Sequence, residues 1–180
     1  LRLHRVGYQS AAAIRSELWW CRALAGAGVP VARPVPALDG QLLVALSTGR
    51  LASAVAWIDG VPLGEAGVPL AGDLEQQVEH HRALGRLLAQ LHSVTDALVP
   101  PPDFTRIRWD SDGLVGETPF WGRFWDHPAL QPDDASLLRR TRDFLRDRMR
   151  DHAAKGSFGL IHADVLRENV FVGATGLSLI

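Results

Sequence analysis

Near the end of the chain stand His162, Asp164 and Asn169, a His-x-Asp followed after four further residues by an Asn. An apolar run, Gly159-Leu160-Ile161, leads into this stretch, and a β-prone run, Val170-Phe171-Val172, leads out of it. At this spacing the Asp can orient a hydroxyl and accept its proton, and the Asn can hold a magnesium ion. Phosphoryl transfer depends on positioning and charge stabilisation more than on covalent help from the protein. Two short side chains at fixed separation on one stiff loop suit it. The same residue types also satisfy backbone groups in an ordinary turn between strands. The loop alone leaves both readings open.

The elements that must position these residues are legible in outline. Leu1-Arg2-Leu3-His4-Arg5 alternates in polarity as a strand end does. Ser10 then precedes Ala11-Ala12-Ala13 and a helical run through Ala25, with Ser10 as N-cap and Gly26 and Gly28 as the stop. Ile14, Leu18 and Cys21 share one face of that helix, and Glu17 lies near its middle. Residues 42–46 and 51–58 read as two strands joined by a Ser-Thr-Gly turn, followed by the turn-rich Asp59-Gly60-Val61-Pro62-Leu63-Gly64. From Asp73 to His92 a long helix turns Leu84, Leu87, Leu88 and Leu91 inward. Residues 139–150 form a helix in which arginines alternate with Asp143 and Asp147, and its apolar stripe is Leu138, Leu145 and Met149.

In their order and intervals, the Arg2 strand, the Glu17 helix closing with Ala27-Gly28-Val29-Pro30-Val31, the Leu84–His92 helix and the 162–169 loop resemble a known group of enzymes. It is the aminoglycoside phosphotransferase/choline kinase-like superfamily, small-molecule relatives of the protein kinases. The resemblance covers most of the 180 residues, and the terminal loop is its most specific part. It implies an α+β, protein-kinase-like two-lobed fold. Residues 1–58 would form a small β-rich N-lobe, 59–64 the hinge, and 65–180 a larger, mainly helical C-lobe carrying the catalytic loop 162–169.

It also implies ATP and Mg2+ as nucleotide and metal. Arg2 would contact the α- and β-phosphates and Glu17 would pair with it. Main-chain atoms of Ala56, Trp57 and Ile58 would bind adenine, Asp164 would serve the acceptor hydroxyl, and Asn169 would bind magnesium. The sequence departs from the pattern at Ala163, where many members carry Gly, and at Arg2, where the cation is normally Lys. Arg grips phosphate oxygens bidentately but does not replace Lys conservatively. A phosphate-covering hairpin is expected before Leu1 and a second metal-binding Asp after Ile180. On that expectation the chain is a kinase core truncated at both ends.

Composition bounds the rest. With 47% hydrophobic residues the chain can bury a real core, and a net charge of −1 argues against a nucleic-acid partner. One cysteine excludes an internal disulfide framework and a Cys-based zinc cluster. No apolar run approaches the roughly 20 residues of a membrane span, so a cytoplasmic protein without a membrane partner is expected. An irregular segment, residues 96–133, carries the aromatic cluster Phe120-Trp121-Gly122-Arg123-Phe124-Trp125. That cluster reads either as a pocket lining or, preferably, as an anchor on the core. Asp110, Asp112, Glu117, Asp126, Asp133 and Asp134 surround it. They hint at a cationic hydroxyl compound as the small-molecule substrate: an amino alcohol, amino acid or aminosugar. The alternative is a catalytically inactive nucleotide- or metabolite-binding relative, which Arg2 favours. A chance match on an unrelated α/β domain would bind no nucleotide.

Overall fold

A computed structural model describes residues 1–156 and 158–180. Two compact units emerge, residues 1–106 with 159–180 and residues 107–158.

The first unit holds two antiparallel sheets. In one, β4 (Leu51–Val55) is the shared strand, pairing with β1 (Arg2–Leu3), β2 (Pro34–Val35) and β3 (Val44–Ala45). Arg2 lies opposite Ser53 and Val44 opposite Ala52. The expected strands at 42–46 and 51–58 are thus present but shorter, and the proline-bearing β2 is an addition. In the other sheet β5 (Val61–Pro62), β6 (Val170–Gly173) and β7 (Gly176–Leu179) run in order. Residues 59–64 are therefore more than a turn, because β5 pairs Val61 with Val172. Two glycines permit this approach. A Cβ at Gly60, whose φ is 147°, would meet the Val172 carbonyl oxygen at 2.6 Å, and one at Gly173 would meet that of Asp59 at 2.6 Å.

Helix α1 (Ala11–Gly26) begins where Ser10 Oγ accepts the Ala13 N–H at 3.1 Å. It stops in a Schellman motif, with Gly28 left-handed at φ 80°. The Val29 N–H reaches the Leu24 carbonyl at 3.0 Å and the Gly28 N–H that of Ala25 at 3.1 Å. Val29 and Leu24 are both buried, so the apolar contact that accompanies such a stop is present too. Helix α2 (Leu74–Ala97) starts on Asp73, whose carboxylate accepts the Gln76 N–H at 2.8 Å. Its buried positions Leu87, Leu91 and Thr95 recur every four residues, with Leu84 and Leu88 partly buried beside them.

The core forms where α1, α2 and the β6–β7 hairpin meet: Trp20, Leu24, Val29, Leu87, Leu91, Val170, Leu177 and Leu179. Trp20 keeps its indole N–H satisfied by donating to Thr95 Oγ1 at 2.9 Å. Ile14, Leu18 and Leu43 make a smaller cluster between α1 and residues near β3.

The second unit consists of α3 (Ser111–Val115), a 3-10 turn at Phe124–Asp126 and α4 (Pro132–Ala153). No residue of α4 is buried, so the expected stripe of Leu138, Leu145 and Met149 is only partly covered. Among the described residues, no helix is long and apolar enough to cross a membrane.

Candidate functional site

The 162–169 loop lies between two anchors. Upstream, Leu160 packs on the core; downstream, Val170 is 1% exposed. Ile180 fastens both ends of the loop. Its N–H donates to the Asn169 carbonyl at 3.1 Å, and its own carbonyl accepts from His162 Nε2 at 3.1 Å. The Asp164 N–H donates to His162 Nδ1 at 3.3 Å. Both ring nitrogens of His162 are engaged by the backbone, at Ile180 and at Asp164. His162 is thus a structural pin for the loop.

Within the loop, Asn169 turns its amide group onto Asp164. Its Nδ2 donates to the Asp164 carbonyl at 2.8 Å and to Asp164 Oδ2 at 3.0 Å. The carboxylate is thereby held in one orientation, and its other oxygen makes no hydrogen bond among the described residues. Ala163 sits between His162 and Asp164 with φ 68°, a left-handed conformation that a non-glycine residue adopts at a cost.

The expected pair at the first sheet also forms. Arg2 Nη1 lies 3.2 Å from Glu17 Oε1. Glu17 has a second partner that the sequence did not indicate: Arg106 Nη1, 3.0 Å from Oε2. Arg2 also lines a cleft of about 270 Å³ with Leu3, His4, Arg5, Tyr8, Gln9 and Ile14. Burial and the neighbouring Arg2 guanidinium hold the His4 imidazole below its usual range, and it pairs with Ser53 Oγ at 3.0 Å.

The suggested adenine segment leaves β4 at its end. The Ala56 N–H is taken by the Arg33 carbonyl at 2.7 Å. The Trp57 and Ile58 N–H groups make no hydrogen bond among the described residues, and Trp57 is 87% exposed. Sequence-predicted residues are therefore brought together as two pairs, Arg2 with Glu17 and Asp164 with Asn169. No hydrogen bond or ion pair among the described residues joins one pair to the other.

The oxygen set suits a hard cation. The Asn169 amide nitrogen is committed to Asp164, and its Oδ1 accepts from no donor among the described residues. An amide oxygen and a carboxylate fit Mg2+, which typically takes one or two carboxylates and completes its shell with water and phosphate. Among the described residues, no group of three or more His, Cys, Asp or Glu could hold a metal ion unaided.

The acidic residues of the second unit serve local structure instead. Asp110 caps α3 by accepting the Gly113 N–H at 2.9 Å. Asp126 pairs with Arg123 at 2.9 Å and Arg139 at 3.1 Å, and Glu117 pairs with Arg142. Asp112 falls in the first turn of α3, and Asp133 and Asp134 in that of α4, where helix dipoles favour them. Of the aromatic cluster, Trp125 is buried at 1% exposure, but within the second unit and outside the core clusters; Phe120, Trp121 and Phe124 remain exposed.

Comparison with known proteins decides the relationship, since the profile of the phosphotransferase enzyme family matches residues 1–180. The chain belongs to that family. Homoserine kinase of Rhizobium etli (strain CIAT 652) is 30% identical over 154 residues, covering 82% of this chain and 40% of the relative. The structure of a microcompartment-associated aminopropanol kinase is similar with TM-score 0.79 and 29% identity, over 99% of this chain and 55% of that one. An amicoumacin kinase solved with AMP-PNP, Ca2+ and Ami shares the fold at TM-score 0.66 and 20% identity, over 96% and 48%. The chain thus spans about half or less of the length of these relatives. Its fold is that of the kinase-like phosphotransferases.

Proposed function

We propose that the protein is an ATP- and magnesium-dependent kinase that moves the γ-phosphoryl group to a hydroxyl of a small, amine-bearing molecule. The observation that carries this reading is the Asp164–Asn169 pair, a carboxylate held at 3.0 Å by an amide on a loop pinned at both ends. A fixed carboxylate with one unengaged oxygen is what an acceptor hydroxyl needs. Asp164 accepts the hydroxyl's hydrogen bond and takes its proton as the oxygen attacks phosphorus.

Arg2, steadied by Glu17, donates to the α- and β-phosphate oxygens, and main-chain atoms of Ala56–Ile58 meet adenine. Asn169 would hold magnesium through its amide oxygen, and the bound ion would supply neutralisation of the charge on the transferring group. The division into an N-lobe (1–58), a hinge (59–64) and a C-lobe (65–180) belongs to the same proposal. Support for the acceptor class comes from relatives named for homoserine and aminopropanol, each a compound with an amine and a hydroxyl. The acidic residues around the aromatic cluster lend little, since most are already engaged by arginines or helix ends.

The test is ADP release by the purified protein across amino alcohols, amino acids and aminosugars, for wild type and Asp164→Ala. We expect Asp164→Ala to lower turnover by roughly 10²- to 10⁴-fold, with nucleotide affinity nearly unchanged. Equal loss of turnover and binding would remove Asp164 from its role. Arg2 in the lysine position favours a second reading, a nucleotide-binding module without transfer. Magnesium-dependent ATP binding with no ADP release from any acceptor would select it.

A further inference from the structure

We infer that Arg106 is a positioning residue of the nucleotide site: it fixes Glu17, and through Glu17 it sets how Arg2 meets the phosphates. The inference rests on the proposed role of Arg2.

Arg106 lies along one row of α1 and the residues leading into it. Its Nη1 is 3.0 Å from Glu17 Oε2, 3.3 Å from the Ala13 carbonyl and 3.3 Å from Gln9 Oε1. Ala13 and Glu17 lie one turn apart on α1 and Gln9 just before its N-cap, so a single guanidinium ties the first turns of the helix to the residues leading into it. Its neighbours reach the same helix. The Thr105 N–H donates to Ser16 Oγ at 2.9 Å, and that hydroxyl donates in turn to the Ala12 carbonyl at 2.9 Å. Phe104 meets Trp19 edge-on, ring centroids 5.5 Å apart. Residues 104–106 are thus a strap tied along α1.

The electrostatics explain why a strap is needed. The Arg2 side chain is 62% exposed, and an isolated exposed pair holds its geometry weakly. Arg106 and Glu17 are 26% and 25% exposed, so their attraction is less screened. With Oε2 held by Arg106, Glu17 presents only Oε1 to Arg2. The hold on Oε2 opposes swinging of the carboxylate and disfavours its closing bidentately on Arg2, which would withdraw that guanidinium from phosphate. The remaining N–H groups of Arg2 stay available.

The test is calorimetric binding of magnesium with AMP-PNP to wild type, Arg2→Gln, Glu17→Gln, Arg106→Gln, Arg106→Lys and the Glu17→Gln/Arg106→Gln double variant. We expect Arg106→Gln to weaken binding roughly tenfold, the size of coupling between residues sharing one partner. The double variant should bind no more weakly than Glu17→Gln alone, and Arg106→Lys should recover part of the loss. A purely structural strap would lower the melting temperature and leave the affinities alone. Wild-type affinity in Arg106→Gln, or losses that multiply in the double variant, would overturn the inference while leaving the site reading intact. Wild-type affinity in Arg2→Gln would remove the site reading, and this inference with it.

Discussion

Residues 1–106 with 159–180, and residues 107–158, form two compact units held together by different forces. The first is built on apolar burial: Leu24, Leu91, Val170 and Leu179 are each 1% exposed and pack across two helices and a hairpin. In the second, the buried apolar side chains among the described residues are Val115, Pro119 and Trp125. Arginines do much of the remaining work there. Arg142 lies over the Trp125 ring at 4.5 Å, with Arg123 at 5.6 Å, and Arg142 Nε donates to the Val115 carbonyl at 3.0 Å. Every residue assigned to the proposed phosphoryl transfer belongs to the first unit. A group that must hold a proton acceptor within tenths of an ångström is best carried by a close-packed scaffold. A unit held mostly by exposed ion pairs tolerates change in sequence far more readily.

The comparison breaks most directly at one fully buried large side chain in each unit. Trp125→Ala should cost about 3–5 kcal/mol and Leu91→Ala about 2–5 kcal/mol. They should differ in reach. In native-state hydrogen exchange, Trp125→Ala should release amides of 107–158 and leave 162–172 protected. Leu91→Ala should lower protection in α1, α2 and the β6–β7 hairpin together. Equal loss of protection in the 162–172 stretch for both variants would mean that the units unfold as one.

The same contrast explains what could be read in the sequence. Helix α1 was legible because a capping residue, a glycine stop and an apolar period agreed with the packing that formed. For α2 the Asp73 cap and the apolar period served, but with no glycine stop the helix runs on past His92 to Ala97. Asp164 and Asn169 were legible as site residues from their spacing, and the Arg2–Glu17 pair was implied by the family resemblance; the hydrogen bonds from Asn169 to Asp164 were not foreseen. Arg106 was not: it follows Pro100-Pro101-Pro102 in an aperiodic segment, and its contacts with positions 9, 13 and 17 cross about ninety residues of chain. Strand β2 was missed because Pro34 argues against a strand, and an edge position tolerates it. In the second unit the aromatic cluster suggested burial by composition. Burial depends on which neighbours the fold supplies, and only Trp125 found them.

A smaller effect probes how rigid the first unit is at its functional loop. Ala163 at φ 68° carries about 1–2 kcal/mol of left-handed strain. Glycine would relieve that strain but would gain about 0.4–1 kcal/mol of unfolded-state freedom. Ala163→Gly should therefore change stability by between about 0 and 1.6 kcal/mol, in the stabilising direction, in urea titration. A clear loss of stability would show that the methyl group contributes packing that outweighs the strain.

The smallest effect belongs to the second unit and follows from its charges. The hydrogen bond from Arg142, reinforced by its positive charge, holds the Glu117 carboxyl below the usual carboxylate range. A carboxyl depressed in the folded state contributes stability above its unfolded pKa, about 4.3 for a free Glu, and loses it as pH falls through the folded value. Glu117 is exposed, so the contribution is modest and screened by salt. Wild type should therefore lose slightly more melting temperature than Glu117→Gln between pH 7 and pH 3, and the difference should shrink at high ionic strength. If the two proteins titrate in parallel, the Arg142–Glu117 pair adds nothing to the second unit. Its cohesion would then rest on Trp125 and the arginines stacked on it, narrowing the physical gap between the two units.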